Sequence, residues 1–167
     1  MRSSLPEKIV ITGTPGVGKT TIAKLLSKKT GLKYISANDF LKKYKGIKKH
    51  VADLKKLKKL SKIKGIIEGH LCCEVKIHSK IFVLRLDPKI LEQRLKKRGY
   101  SRKKIYDNLL SEILDYCLIV SEKKYPQVIQ INCTKKTPEQ IANEIIKEKK
   151  SKDPHWLTTL EESFLKE

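Results

Sequence analysis

The sequence predicts an α/β fold, a parallel sheet with helices on both faces, and three observations carry that prediction. Short β-branched runs alternate with stretches of helical periodicity from residue 8 to about residue 149, the pattern of consecutive βα units joined by right-handed crossovers. One such run, Lys80-Ile81-Phe82-Val83-Leu84-Arg85-Leu86, is nearly continuous in apolar residues, as a strand covered on both faces must be. The junctions carry stop and start signals: Gly31 and Gly99 end helical stretches, while Asp87-Pro88 and Thr137-Pro138-Glu139-Gln140 open new ones.

Taken in order, Lys8-Ile9-Val10-Ile11-Thr12 reads as the first buried strand, and Ile22, Ala23, Leu25 and Leu26 recur behind it at helical spacing up to Gly31. Residues 32–36 read as the second strand. Asn38-Asp39 then caps a short helix whose apolar members are Phe40, Leu41 and Tyr44. Between Lys42 and Lys64 stand eleven lysines and one acid, Asp53; Val51, Leu54, Leu57, Leu60 and Ile63 recur within it and predict one amphipathic helix coated with lysine. Residues 65–69 read as a third strand ending in the carboxylate Glu68. The 80–86 run is the fourth, and the helix from Pro88 reaches Arg98. Ser101 starts a further helix with Ile105, Leu109, Ile113 and Cys117 on one face. Gln127 to Asn132 supplies the fifth strand, and Pro138 opens a helix running to about Lys149. In the tail Asp153-Pro154 recaps, and Trp156, Leu157, Leu160 and Phe164 read as an amphipathic clasp on the domain or as a partner site. The whole chain, 1–167, reads as one domain.

One motif organises the rest. Gly13-Thr14-Pro15-Gly16-Val17-Gly18-Lys19-Thr20 fills the pattern G-x-x-x-x-G-K-[ST] without a gap, directly after a strand and directly before a helix. That context makes it a phosphate-binding loop. Gly13, Gly16 and Gly18 let backbone N–H groups turn inward around an anion. The helix N-terminus adds roughly half a positive charge. Lys19 reaches the β- and γ-phosphates, Thr20 offers a hydroxyl to Mg²⁺, Thr21 lies at the α-phosphate, and Val17 contributes backbone. The expected ligand is a nucleoside triphosphate.

Composition bounds what else the chain does. A formal charge of +20, from 38 Lys+Arg against 18 Asp+Glu, attracts polyanions, RNA first among them, and is equally the composition of a lysine-rich or thermophilic proteome. Sparse aromatic residues argue against stacking on single-stranded bases. No apolar run approaches the ~20 residues of a membrane span, and the N-terminus has no signal-peptide character, so the cytoplasm is the expected compartment. The cysteines at 72, 73, 117 and 133 form no C-x-x-C pair and read as free thiols. Guanine-reading N-K-x-D segments are absent, which argues against a GTPase. No dedicated arginine pair for a carboxylate appears, which argues against a shikimate-type acceptor.

Three further stretches select among triphosphate users. Ile66-Ile67-Glu68-Gly69-His70-Leu71 places an acid where Mg²⁺ is held in such proteins. Arg94 and Arg98 lie four apart on one helix face ahead of Gly99-Tyr100-Ser101-Arg102. Asp39 falls two strands into the fold, as an acceptor-site residue, the helix cap, or both. Together these stretches resemble the adenylate kinase isoenzyme 6 family, the nuclear and archaeal adenylate kinases that double as ribosome-assembly ATPases. The resemblance covers about residues 8–149. It is strongest in residues 13–21, Gly31-Leu-Lys-Tyr-Ile35, Glu68-Gly69-His70 and 98–108, and is nearer the archaeal branch through Glu68-Gly69-His70-Leu71.

The resemblance implies a P-loop nucleoside monophosphate kinase-like three-layer fold with a five-stranded sheet of order 2-3-1-4-5. It implies phosphoryl exchange between ATP and AMP with slower ATP hydrolysis, and Mg²⁺ as cofactor. It also implies a small-subunit ribosomal protein as partner, rRNA contact through the basic surface, and a protein that is monomeric on its own. The expected acceptor region is about 36–62, the lid about 97–107 and the helical tail about 151–167. Lys19, Glu68 and His70 are the catalytic candidates, with Thr20 and Glu68 at the metal. Arg98 is expected against adenine or phosphate, or simply at the helix C-terminus; Asp39, Lys42, Arg94 and Arg102 are substrate-side candidates. His70 orients a water or phosphate, or else caps the next helix. Lys135 and Lys136 fall where similar kinases seat the donor base. Two departures stand out. Glu68 replaces the family's usual Asp, and Lys42 replaces an Arg, losing the bidentate phosphate grip.

Overall fold

The structure, a computed structural model, describes residues 6–48, 51–152, 154 and 156. Its centre is strand β1, Lys8–Thr12, whose residues after Lys8 are buried because strands flank it and helices cover both its faces. Around it stand β2 (Tyr34–Ser36), β3 (Gly65–Glu68), β4 (Lys80–Arg85) and β5 (Gln127–Asn132). All pair in parallel, in the spatial order β2-β3-β1-β4-β5, the expected 2-3-1-4-5. Register brings Ile11 and Ser36 each opposite Glu68, so the carboxyl ends of three strands converge at one edge.

Alternation along the strands divides the core. Ile9, Ile11, Ile66, Phe82 and Leu84 pack under α1 (Lys19–Thr30), α4 (Pro88–Lys97), α5 (Arg102–Ile113) and α7 (Pro138–Ile146). Val10, Ile67 and Ile81 face the other layer, with Leu41 of α2 (Ala37–Lys43) and Leu57 and Leu60 beyond it. Cys73 and Val83 meet Cys117 and Leu118 of α6 (Tyr116–Lys124) in a third cluster. The result is three layers. Among the described residues no helix is long and apolar enough to cross a membrane.

Most junctions fall where the sequence places them. Gly31 and Gly99 close their helices at φ +74° and +70°. Asp87 caps α4, with its side chain accepting from Lys89 N–H, and Thr137 and Gln140 form the expected capping box of α7. Four expectations are corrected. Ser36, not Asn38-Asp39, caps α2, its hydroxyl accepting from Asp39 N–H at 3.2 Å. The amphipathic helix of 51–64 does not form as one piece: Val51–Ala52 pairs with Ile47–Lys48 in a small antiparallel hairpin. Asp53 then caps the short α3 (Leu54–Leu57), which tightens into a 3₁₀ helix over Lys58–Lys62. An apolar repeat of three residues is the 3₁₀ period, which explains the tightening. Cys117 lies beyond the end of α5, because the chain breaks at Asp115 with φ +55° and restarts as α6. The helix from Pro138 ends at Ile146, short of Lys149. In the tail, Asp153, Leu157, Leu160 and Phe164 lie outside the described residues.

Candidate functional site

The loop between β1 and α1 lies on the strand edge where βαβ sheets take ligands. Gly13 stands at φ +141° with its would-be Cβ 2.6 Å from the Leu84 carbonyl oxygen, so only glycine lets the loop lie this close to β4. Gly18 begins α1 at φ +110°, and no side chain caps that N-terminus. Four orphan helix amides therefore face the loop interior with the positive end of the helix dipole behind them. Lys19 is buried, its Nζ donating to the carbonyls of Gly13 at 2.7 Å and Thr14 at 3.0 Å. Burial lowers its pKa, and Cys117 and Glu68 pull back against that shift.

Two clefts meet at this loop. The first, about 190 Å³, includes Gly16, Gly18, Lys19, Thr20 and Thr21 from the loop side, and Glu68, His70 and Arg98 opposite. Glu68 is buried, and its Oε1 accepts from Thr20 Oγ1 at 3.1 Å and from Tyr34 Oη at 3.0 Å. Burial, then Glu68, push the Tyr34 hydroxyl up to about 12. Burial, then Lys19, lower the His70 pKa from its ordinary value, which favours the neutral imidazole. The second cleft, about 290 Å³, shares Gly16, Gly18, Thr21 and Arg98 with the first, and continues past Val17 and Ile22 to Arg94, Cys133, Lys136, Pro138 and Ile141. Its lining joins the apolar Val17, Ile22, Pro138 and Ile141 to the cationic Arg94, Arg98 and Lys136.

The structure thus brings together Gly16, Val17, Gly18, Lys19, Thr20, Thr21, Glu68, His70, Arg94 and Arg98 along two joined clefts. Arg94 Nη1 braces the loop from outside, donating to the carbonyls of Gly16 and Val17 at 3.3 Å each. Asp39 and Lys42 do not reach the clefts; they face each other at 3.9 Å on the exposed side of α2, and Asn38 lines the first cleft instead. Arg102 is exposed at the start of α5 and lines neither. Lys136 lines the second cleft with its ammonium held by Glu144 at 2.7 Å, and Lys135 does not line it. Tyr100 also lines the first cleft, and the Lys104 ammonium sits 4.0 Å from its ring centre, tying it to the first turn of α5.

A family model described as "AAA domain" matches residues 9–115. A Methanocaldococcus jannaschii protein named "Putative adenylate kinase" is 42% identical over 158 residues, covering 87% of this chain and 87% of that protein. A Pyrococcus abyssi protein of the same name is 40% identical over 148 residues, 83% of this chain and 81% of the other. The chain belongs to the archaeal adenylate kinase family. As a family member it is a P-loop nucleotide kinase. Its fold matches that of the Acinetobacter baumannii shikimate kinase in complex with shikimate, at a TM-score of 0.64 over 87% of this chain and 93% of that one. At 13% identity this likeness concerns the fold alone.

Several residues of this adenylate kinase family member's site escape a reading of the sequence. Tyr34 looks like a half-buried strand aromatic, and nothing local ties it to Glu68. Ile22, Cys133, Pro138 and Ile141 wall the second cleft from three separate segments, a meeting visible only once the sheet is assembled.

Proposed function

We propose that the chain transfers the γ-phosphoryl group of ATP to AMP, giving two ADP, and hydrolyses ATP more slowly in the absence of AMP. The observation that supports this most is the pair of clefts joined at the loop. The one that joins apolar side chains to Arg94 and Arg98 suits the donor base and sugar, and the polar one beyond Lys19 suits the reacting phosphates and the acceptor. In this reading the acceptor region spans about 36–62 and the lid about 97–107.

Phosphoryl transfer asks little covalent help, so the residues act by placing charge. The backbone N–H groups of the 13–20 loop, Pro15 excepted, and the α1 dipole hold the triphosphate. Lys19 leaves the loop carbonyls for the β- and γ-oxygens. Arg98 closes from the lid side, and His70 orients an acceptor oxygen. The Thr20 hydroxyl and the Glu68 carboxylate, already 3.1 Å apart, are hard oxygen groups of the kind that would hold Mg²⁺. When bound, Mg²⁺ neutralises the phosphate charge that the side chains only partly balance. Glu68, a methylene longer than Asp, is steadied by Tyr34. Tyr34→Phe is therefore expected to weaken the apparent Mg²⁺ affinity about tenfold, read as turnover against free Mg²⁺ at fixed ATP. An unchanged curve would remove Tyr34 from the account.

The deciding experiment is ATP turnover with and without AMP, and with a panel of other monophosphates. ADP formation at least about tenfold above the AMP-free rate, and highest with AMP, is expected; no stimulation by any monophosphate overturns the kinase reading. A second reading, an ATP-gated assembly factor that binds a small-subunit ribosomal protein and rRNA, is supported by the +20 charge and the eleven lysines of the 42–64 stretch. It requires association with small-subunit particles that weakens steeply with salt and depends on Lys19.

A further inference from the structure

The charged groups that this reading leaves without a role lie beneath the loop. Arg85, at the carboxyl end of β4, is 1% exposed, and Glu112, in the last turn of α5, is 2% exposed. Arg85 Nε donates to Glu112 Oε1 at 2.9 Å, and its Nη2 donates to the Glu112 carbonyl at 3.0 Å and to Asp115. Leu86 N–H donates to the same Oε1 at 3.1 Å. The other carboxylate oxygen, Oε2, accepts a 2.6 Å bond from Thr14 Oγ1. Thr14 belongs to the phosphate loop, and its carbonyl is one of the two that hold Lys19.

Ion pairs buried this deeply are often no more stabilising than apolar residues of the same shape, so stability alone does not explain this one. Its placement suggests another use. α5 runs for 12 residues, about 18 Å at 1.5 Å per residue. Its N-terminal half belongs to the lid segment of about 97–107, and its last turn holds Thr14 through Glu112. One helix therefore reaches from the lid to the loop, and Arg85 fixes its inner end to the sheet. Asp115, at φ +55°, marks the break that ends this lever, and it bonds the same guanidinium.

We propose that Glu112, oriented by Arg85, is a positioning residue that sets Thr14 and the Lys19 ammonium behind it, and couples lid closure to the geometry of the phosphate loop. The proposal rests on the nucleotide reading above. Thr14→Val removes the hydroxyl at nearly constant volume and leaves Arg85 and Glu112 paired, while Thr14→Ser keeps the hydroxyl. Calorimetric titration with Mg·ATP is expected to show at least about tenfold weaker binding for Thr14→Val, with Thr14→Ser within about threefold of the parent. Amide exchange is expected to show faster exchange at residues 14–18 in the nucleotide-free Thr14→Val protein, and lost protection at residues 98–105 in its Mg·ATP complex. A purely structural bond would lower Tm without changing the affinity or lid protection of the folded protein, and that outcome overturns the proposal. Absence of any Mg·ATP heat with the parent protein overturns the nucleotide reading instead, and the exchange at 14–18 then reports on the tether by itself.

Discussion

Lys19→Met is expected to cost at least about a thousandfold in phosphoryl transfer, on the scale of losing a preorganised charge at the reacting phosphate, while leaving the fold about as stable as before. The two effects have one cause. Lys19 is buried against Gly13 and Thr14 carbonyls, and burial lowers its pKa below 10.5 more than Cys117 and Glu68 restore it. A lysine whose folded pKa lies below its unfolded value binds its proton more weakly in the native state. Its charge therefore costs stability at neutral pH, and that cost disappears as pH rises through the folded pKa toward 10.5. Methionine fills a similar volume without the charge, so relief from burying the ammonium offsets the loss of its two charge-assisted hydrogen bonds, about 1.5–3 kcal/mol each. Thermal unfolding near pH 7 should then fall within a few degrees of the parent, and the part of the alkaline stability gain owed to Lys19 should be missing. Turnover within tenfold of the parent would end the assignment of Lys19 to the transferring phosphate. A large drop in Tm would mean that the ammonium serves the loop's architecture first.

The loop and its helix are legible because the motif is local: glycines, lysine and threonine act within eight consecutive residues, and strand and helix signals flank them. The sheet order follows from the resemblance, and each strand from its own apolar run. Legibility fails where partners are distant in sequence. The 51–64 segment misleads because Val51, Leu54, Leu57 and Leu60, read without their neighbours, look like one continuous helical stripe, yet Asp53 takes an extended conformation to cap α3 and cuts the pattern in two. Glu112 leaves a trace that can be read in retrospect: it stands seven residues after Ile105 and three after Leu109, on the buried face of α5. Arg85 likewise interrupts an apolar strand. An acid and a base, each alone on a buried face, require each other, but only the fold shows that Thr14 is the third member.

That mutual requirement gives the second large effect. Glu112→Ala leaves the buried Arg85 guanidinium with Asp115 as its one remaining carboxylate partner and orphans the Leu86 N–H and Thr14 hydroxyl. Breaking a buried pair from one side costs about 3–5 kcal/mol. For a chain of this size each kcal/mol moves Tm by roughly 2–4 °C, so a fall of about 6–20 °C is expected in thermal unfolding. The double variant Arg85→Met/Glu112→Leu removes both charges together and should recover most of that loss, since Asp115, at 22% side-chain exposure, can return to water. Recovery of Tm need not restore the site. Thr14 has no carboxylate to hold it in the double variant, so weak Mg·ATP binding should persist in a protein that is again stable. A single variant that loses less than about 1 kcal/mol would show that Arg85 and Glu112 are not mutually required. A double variant that regains both stability and affinity would show that the pair serves packing alone.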